Sequence, residues 1–203
     1  MSLARATRGA LALASLATAL TLAATAAAGT GLKGIPLSHP VPAPDFTLRD
    51  QGGNSVRLAS LRGRFVIVTF LYTHCPDDCP LIADQLRQTT KLLGSDASKV
   101  AILAVSTDPQ HDDRASAQLF TRQHDMAGRW HFLLGSPDQL SPIWRDYYIG
   151  VSQGDSTVAP GGGVTHSDPL FLLDKQGNER TLMSLPFKAS DVASNLRQLL
   201  AEN

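Results

Sequence analysis

Leu71-Tyr72-Thr73-His74-Cys75-Pro76-Asp77-Asp78-Cys79-Pro80-Leu81 holds both cysteines of this 203-residue chain. Just upstream, Arg64-Phe65-Val66-Ile67-Val68-Thr69-Phe70-Leu71 is an apolar run rich in β-branched and aromatic residues, the pattern of a buried strand. Just downstream, Ile82, Leu86 and Leu93 recur at spacings of four and seven, which predicts a helix. The cysteines therefore sit on a strand-to-helix turn. Asp77 or Asp78 is placed to cap the helix, and Pro80 suits its first turn, where no backbone donor is needed. A helix start carries unpaired N–H groups and the positive end of the dipole. Both favour a thiolate, the form that binds metal or attacks disulfides. A separation of four residues puts both sulfurs on one side of a helical turn.

Working outward, Lys99–Ser106 reads as a second buried strand, followed by the polar loop Thr107–Asp113. A helix is expected from about Arg114 to Met126, with Ala115, Leu119 and Phe120 inward. Trp130–Leu134 is a short strand. Ser136-Pro137-Asp138-Gln139 is a capping box with proline at the first helical position. It opens a helix carrying Leu140, Ile143, Trp144 and Tyr147. On the amino-terminal side, Asp45–Leu48 and Val56–Leu58 form a hairpin around Asp50–Asn54. Gly150–Thr165 has three consecutive glycines and no periodicity, and reads as a long loop delivering His166. Leu170–Leu173 is a strand, Asp174–Asn178 a turn and Thr181–Leu185 its partner. Ser190 is placed to cap a last helix bearing Val192, Leu196, Leu199 and Leu200. These elements predict an α/β, thioredoxin-like fold: a central mixed β-sheet flanked by helices, with an N-terminal β-hairpin. The cysteines fall at the carboxyl end of a strand, where open α/β sheets place their sites.

Formal net charge is zero and there is no basic run, so nucleic-acid binding has no electrostatic basis. Arg5 and Arg8 precede an apolar stretch from Gly9 to Ala28, and the first acid is Asp45. Residues 1–28 have the layout of a signal peptide, and the apolar stretch 9–28 is also long enough for an uncleaved membrane anchor. A mitochondrial presequence is a weaker reading of the same residues. Residues 29–44, dense in proline and glycine, read as a linker without regular structure. Residues 45–203 are the domain. Export makes the chain periplasmic, soluble or anchored to the inner membrane, with the mitochondrial inner membrane as the lesser alternative.

Three residues separate Cys75 from Cys79, one more than in an ordinary thioredoxin motif. A disulfide between them would close a small loop and remove little unfolded-state entropy. Two thiolates and an imidazole make a soft three-ligand set suited to copper(I) and acceptable to copper(II). Zinc would want a fourth ligand, which Asp77, Asp78 or His74 could supply. Of the six histidines, His39 lies in the linker. His111 and His124 read as solvated, His131 as packed or exposed, and His74, which would have to bend back to share a metal with Cys75, as a neighbour of the site rather than a ligand. His166 lies where the plan brings the chain close to the cysteine turn. Asp108 reads as an acid bonding its own turn.

Tyr72–Pro80 resembles the cysteine motif of the Sco/SenC family of copper-binding cytochrome c oxidase assembly proteins. Ser106–Asp112 is similar to the family's Asp-Pro loop. Trp130–Gly135, Tyr147–Val151 and Thr165-His166 before Leu170–Asp174 follow in the family's order, so the likeness covers about residues 42–200. The resemblance implies Cys75, Cys79 and His166 as ligands of copper(I) or copper(II). It implies delivery of copper to the binuclear copper centre of cytochrome c oxidase, with that enzyme's copper-bearing subunit or another copper chaperone as partner. The family is also credited with thiol–disulfide work, so the alternative is an oxidoreductase that reduces a partner's cysteines, with Cys75 as nucleophile and Cys79 as resolving thiol. Two positions depart from the pattern: Thr165 stands where the family has Asp, and Pro169 where a strand residue is expected. A peroxidase would want an arginine beside the nucleophile, and none is near in sequence.

Overall fold

The computed structural model describes residues 31–153 and 164–202. The leader or anchor expected in residues 1–28, and the middle of the loop expected from Gly150, lie outside the described residues. The strands are β1 (Ile35–Pro42), β2 (Thr47–Asp50), β3 (Ser55–Arg57), β4 (Phe65–Leu71), β5 (Val100–Ser106), β6 (His131–Leu134), β7 (Val151–Gln153), β8 (Val164–His166), β9 (Leu170–Leu173) and β10 (Asn178–Met183). The helices are α1 (Asp78–Leu93), α2 (Arg114–Gln123), α3 (Pro137–Asp146) and α4 (Ala189–Ala201).

One sheet runs in the order β1-β10-β9-β4-β5-β6-β2-β3, and β7 and β8 form a separate pair. β4, β5 and β6 are parallel, and the strands on either side are antiparallel. Parallel neighbours need a crossover, and α1 supplies the one between β4 and β5. Every residue of β4 and β5 is buried, because both faces of the sheet are covered. Alternation divides them between two cores. Phe65, Ile67 and Leu71 pack with α1, α2 and α4, while Val66, Val68 and Phe70 pack with α3 and the β2–β3 hairpin. Ile82 and Leu86 are fully buried, as the periodicity of α1 predicts. Each such side chain contributes about 1.5–3 kcal/mol. The expected mixed sheet, flanking helices and amino-terminal hairpin are all present.

Four local expectations differ from the structure. The stretch 29–44 is not without regular structure, since β1 pairs antiparallel with β10. β1 is an edge strand with one neighbour, so Pro36, Pro40 and Pro42 need no outward donor, and the register shifts between Pro36 and Val41. The ends of the expected Gly150–Thr165 loop are strands, β7 against β8. In α2, Ala117, Phe120 and Thr121 face inward, while Leu119 is 49% exposed and Ala115 also faces out. Phe120 sets that face by packing on Trp130 and Phe132. α4 starts at Ala189 after Lys188, which puts Ser190 inside its first turn.

Ahead of β1, Gly34 has φ +90°, and an added Cβ would collide with the Leu182 carbonyl oxygen and approach Met183 Cγ to 2.8 Å. Left-handed backbone strain and that collision act together. Gly34→Ala is expected to cost about 2 kcal/mol or more. Urea unfolding checks this, as a lower midpoint at unchanged slope.

Candidate metal centre

β4 ends at Leu71, and the chain turns through Tyr72–Asp77 into α1. Neither expected aspartate cap forms in the way the sequence suggests: Asp77 occupies the cap position, but its side chain makes no capping hydrogen bond. A sulfur stands in for it. The backbone N–H of Cys79 points to Cys75 Sγ at 3.4 Å. This is one of the orphan donors of a helix start, satisfied by the residue four positions earlier.

The two thiols are free, Cys75 partly buried and Cys79 fully buried. The hydrogen bond from the Cys79 thiol lowers Cys75 most, to a pKa of about 5. Burial opposes this, and the backbone N–H groups of Cys79 and Asp77 add to it. Burial pushes the Cys79 thiol far up, as does its bond to Cys75. The pair therefore holds one negative charge at neutral pH, on the accessible sulfur.

His166 closes β8. Its Nδ1 lies 2.9 Å from the Ser167 carbonyl oxygen. A carbonyl only accepts, so Nδ1 carries the proton, and in the neutral ring Nε2 is left with a lone pair. That Nε2 lies 3.8 Å from Cys79 Sγ. Tyr72 fixes the approach. Its ring meets the imidazole edge-on at 5.4 Å, and its hydroxyl donates to the Val164 carbonyl at 3.2 Å, tying β8 to the cysteine turn.

The structure thus brings Cys75 to Cys79 and Cys79 to His166, with Cys79 shared. Among the described residues no three His, Cys, Asp or Glu side chains are already clustered around one metal position. An ion bound by all three would draw Cys75 and His166 in around it. The donor chemistry fits such an ion: one sulfur is ionised, the second sits beside it, and an imidazole lone pair faces the second. Soft sulfur donors with one nitrogen suit copper(I). The cleft over them has a volume of about 190 Å³ and is bordered by Asp77, Asp78 and Asp168. Burial and the Asp78 charge raise the Asp168 pKa, against a pull downward from His166. These acids favour a cation at the mouth.

Sequence reasoning gave no role to Tyr72 or to Asp112. Asp112 Oδ1 accepts from the Thr73 N–H at 2.8 Å and the Thr73 hydroxyl at 2.7 Å. Its Oδ2 accepts from the Ser106 hydroxyl at 2.6 Å. It staples the cysteine turn to the end of β5, and only the fold puts the two side by side. Asp108, fully buried, bonds within its own loop as expected, but its partner is His111 Nδ1 at 2.8 Å. His111 is therefore engaged rather than simply solvated. His74 is exposed, with Nδ1 3.0 Å from the Thr73 hydroxyl. His131 pairs with Asp50 at 2.9 Å, and His124 packs on Phe120. Thr165 stands opposite Ser152 in the β7–β8 pair, and Pro169 immediately precedes β9.

The chain is similar to known proteins over most of its length. The sequence pattern of the SCO1/SenC family matches residues 38–201. The chain is 29% identical over 159 residues to the mitochondrial SCO2 homologue of Bos taurus, covering 77% of this chain and 59% of that protein. It therefore spans about three fifths of that relative's length. Copper-bound ScoI of Bradyrhizobium japonicum superposes with a TM-score of 0.70 at 26% identity, covering 78% of this chain and 99% of that one. BsSco, described as a member of the Sco family of cytochrome c oxidase assembly proteins with a disulfide switch, shares the fold. Its TM-score is 0.68 at 20% identity, covering 84% of this chain and 98% of that one. With a match running from the edge strand to the last helix, this chain belongs to the SCO1/SenC family.

Proposed function

We propose that this chain is a copper-binding metallochaperone that delivers copper to the binuclear copper centre of cytochrome c oxidase during its assembly. Cys75, Cys79 and His166 are the ligands in this reading. The observation that carries it is the His166 ring, fixed by the Ser167 carbonyl with its Nε2 3.8 Å from Cys79 Sγ. Copper is cargo here, so the site must take it up and give it away. The Cys75 thiolate, open at the cleft, makes the first bond. Cys79 loses its proton as copper binds, because the metal replaces that proton as the stabiliser of the sulfur. His166 completes the set from a neighbouring strand pair and is the first ligand released to a recipient. The copper-bound relative and the assembly role stated for BsSco support this assignment. The recipient is the oxidase's copper-bearing subunit, or another copper chaperone.

The second reading, a thiol–disulfide reductase, rests on the low pKa of Cys75 beside a buried Cys79 thiol. The Cys75 thiolate attacks one sulfur of a partner disulfide, and the other sulfur leaves as a thiolate. Cys79 then gives up its proton and attacks Cys75 Sγ. The partner leaves as a dithiol, and the two cysteines here become a disulfide. This route does not use His166.

Residues 1–28 serve in our reading as leader or anchor and place the domain outside the cytoplasm, in the periplasm. The sequence of that segment supports this. In our reading the domain also takes in β1, because that strand pairs with β10. Among the described residues no helix is long and apolar enough to cross a membrane.

The test is a copper(I) titration of the reduced protein against a competing chelator, beside Cys75→Ser/Cys79→Ser. The expected result is one copper(I) per chain, lost in the double variant. Absence of uptake by the unaltered protein contradicts the copper reading and leaves the exchange chemistry.

A further inference from the structure

The cysteine turn occupies the carboxyl end of β4. At the opposite end of the sheet, where β4, β5 and β6 begin, lies a second cavity of about 350 Å³. Its lining includes Arg64, Arg129 and His131, and no carboxylate. Arg64 is anchored through Nη2 to the Val100 carbonyl at 2.6 Å, yet its Nε is buried without a hydrogen-bond partner. Arg129 is held by the Asp125 carbonyl through Nε at 3.0 Å and by Thr90 Oγ1 through Nη1 at 3.4 Å. Neither arginine has an acidic partner among the described residues. His131 is already committed to Asp50. The remaining walls are mixed: Leu93, Ile102 and Trp130 give an apolar side, and Thr89, Thr90 and Ser98 line the same space.

A guanidinium group without an acidic partner, presented at a cavity wall, offers a planar fork of donors that matches a carboxylate. Concave sites with apolar walls and a few fixed polar groups are the usual form of small-molecule pockets. We propose that this cavity binds a small organic monoanion, with its carboxylate on Arg64 and Arg129 and its apolar body against Leu93, Ile102 and Trp130. An inorganic anion would meet the guanidinium groups and leave the side formed by Leu93, Ile102 and Trp130 unfilled, so the organic ligand binds better. The site is independent of the copper reading and stands or falls separately.

Benzoate is the probe, titrated into the ¹⁵N-labelled full chain, with benzyl alcohol as its neutral counterpart and inorganic phosphate as its polar one. The expected result is a saturating shift of the Arg64 Nε–H and Trp130 Nε1–H resonances with benzoate. Benzyl alcohol and phosphate bind at least about tenfold more weakly. Arg64→Met and Arg129→Gln each weaken benzoate by a similar factor. Arg129 is exposed, so its variant keeps the fold even where Arg64→Met loosens the Val100 contact. Shifts that never saturate, phosphate binding as tightly as benzoate, or unchanged benzoate affinity in Arg129→Gln would each overturn the proposal.

Discussion

His166→Ala weakens copper(II) binding by about 10–100-fold or more and copper(I) binding by much less. Losing even an outer hydrogen-bond partner of a ligand costs about 10–100-fold in metal affinity, and in the proposed site a ligand itself is removed. The asymmetry comes from the metal. Copper(I) is soft and is satisfied by the two sulfurs of Cys75 and Cys79. Copper(II) wants a nitrogen donor and more ligands, and His166 is the imidazole oriented toward the pair. Competition against chelators for each oxidation state, with the sulfur-to-copper(II) absorption followed in parallel, measures both affinities. Equal losses for the two states, or no loss, would contradict the ligand role of His166.

The second large effect is in the thiols themselves. In metal-free reduced protein at pH 7, iodoacetamide labels Cys75 about a hundredfold or more faster than Cys79. Cys79 is fully buried and its thiol is pushed far up, so it offers neither access nor thiolate. The pH profile of Cys75 carries the sign of its shift. A thiol lowered to about 5 stays ionised as pH falls from 9 to 6, so labelling is flat there and drops only as pH passes below about 5. The gain over an ordinary thiol is smaller than the ionised fraction suggests, because nucleophilicity falls with pKa. The bond from the Cys79 thiol is the largest cause of the lowering, so Cys79→Ala moves the midpoint upward. A midpoint near that of a free thiol in the unaltered protein, or equal labelling of the two cysteines, would contradict the shared-charge account.

Local signals carried the strands and helices next to the cysteines. The run Phe65–Leu71 is apolar on both faces because β4 lies in the middle of the sheet, and the spacing of Ile82, Leu86 and Leu93 matches the buried side of α1. The position of His166 beside the cysteine turn was legible because strand order brings β9 beside β4, which returns the preceding chain to that turn. Proline density in 29–44 misled, since an edge strand needs donors on one side only. Leu119 misled because the inward face of α2 is set by the aromatic contacts of Phe120, which lie far away in sequence. Asp112 and Tyr72 had no local signature, because their partners Ser106 and Val164 reach them only through the fold. The sulfur cap on α1 replaced the aspartate cap for a similar reason: the turn aims Cys75 Sγ, not the Asp77 carboxylate, at the helix N–H groups.

Copper transfer tests the central claim most directly. The copper-loaded chain is mixed with the reduced, copper-free soluble domain of the oxidase's copper-bearing subunit, and the visible spectrum of the binuclear centre is read after a mild one-electron oxidant is added. The account predicts that the spectrum appears as copper leaves this chain, and that Cys75→Ser/Cys79→Ser transfers none. Copper that stays on the chain, while an oxidised recipient has its disulfide reduced by the same protein, would contradict delivery and assign the cysteines to thiol exchange.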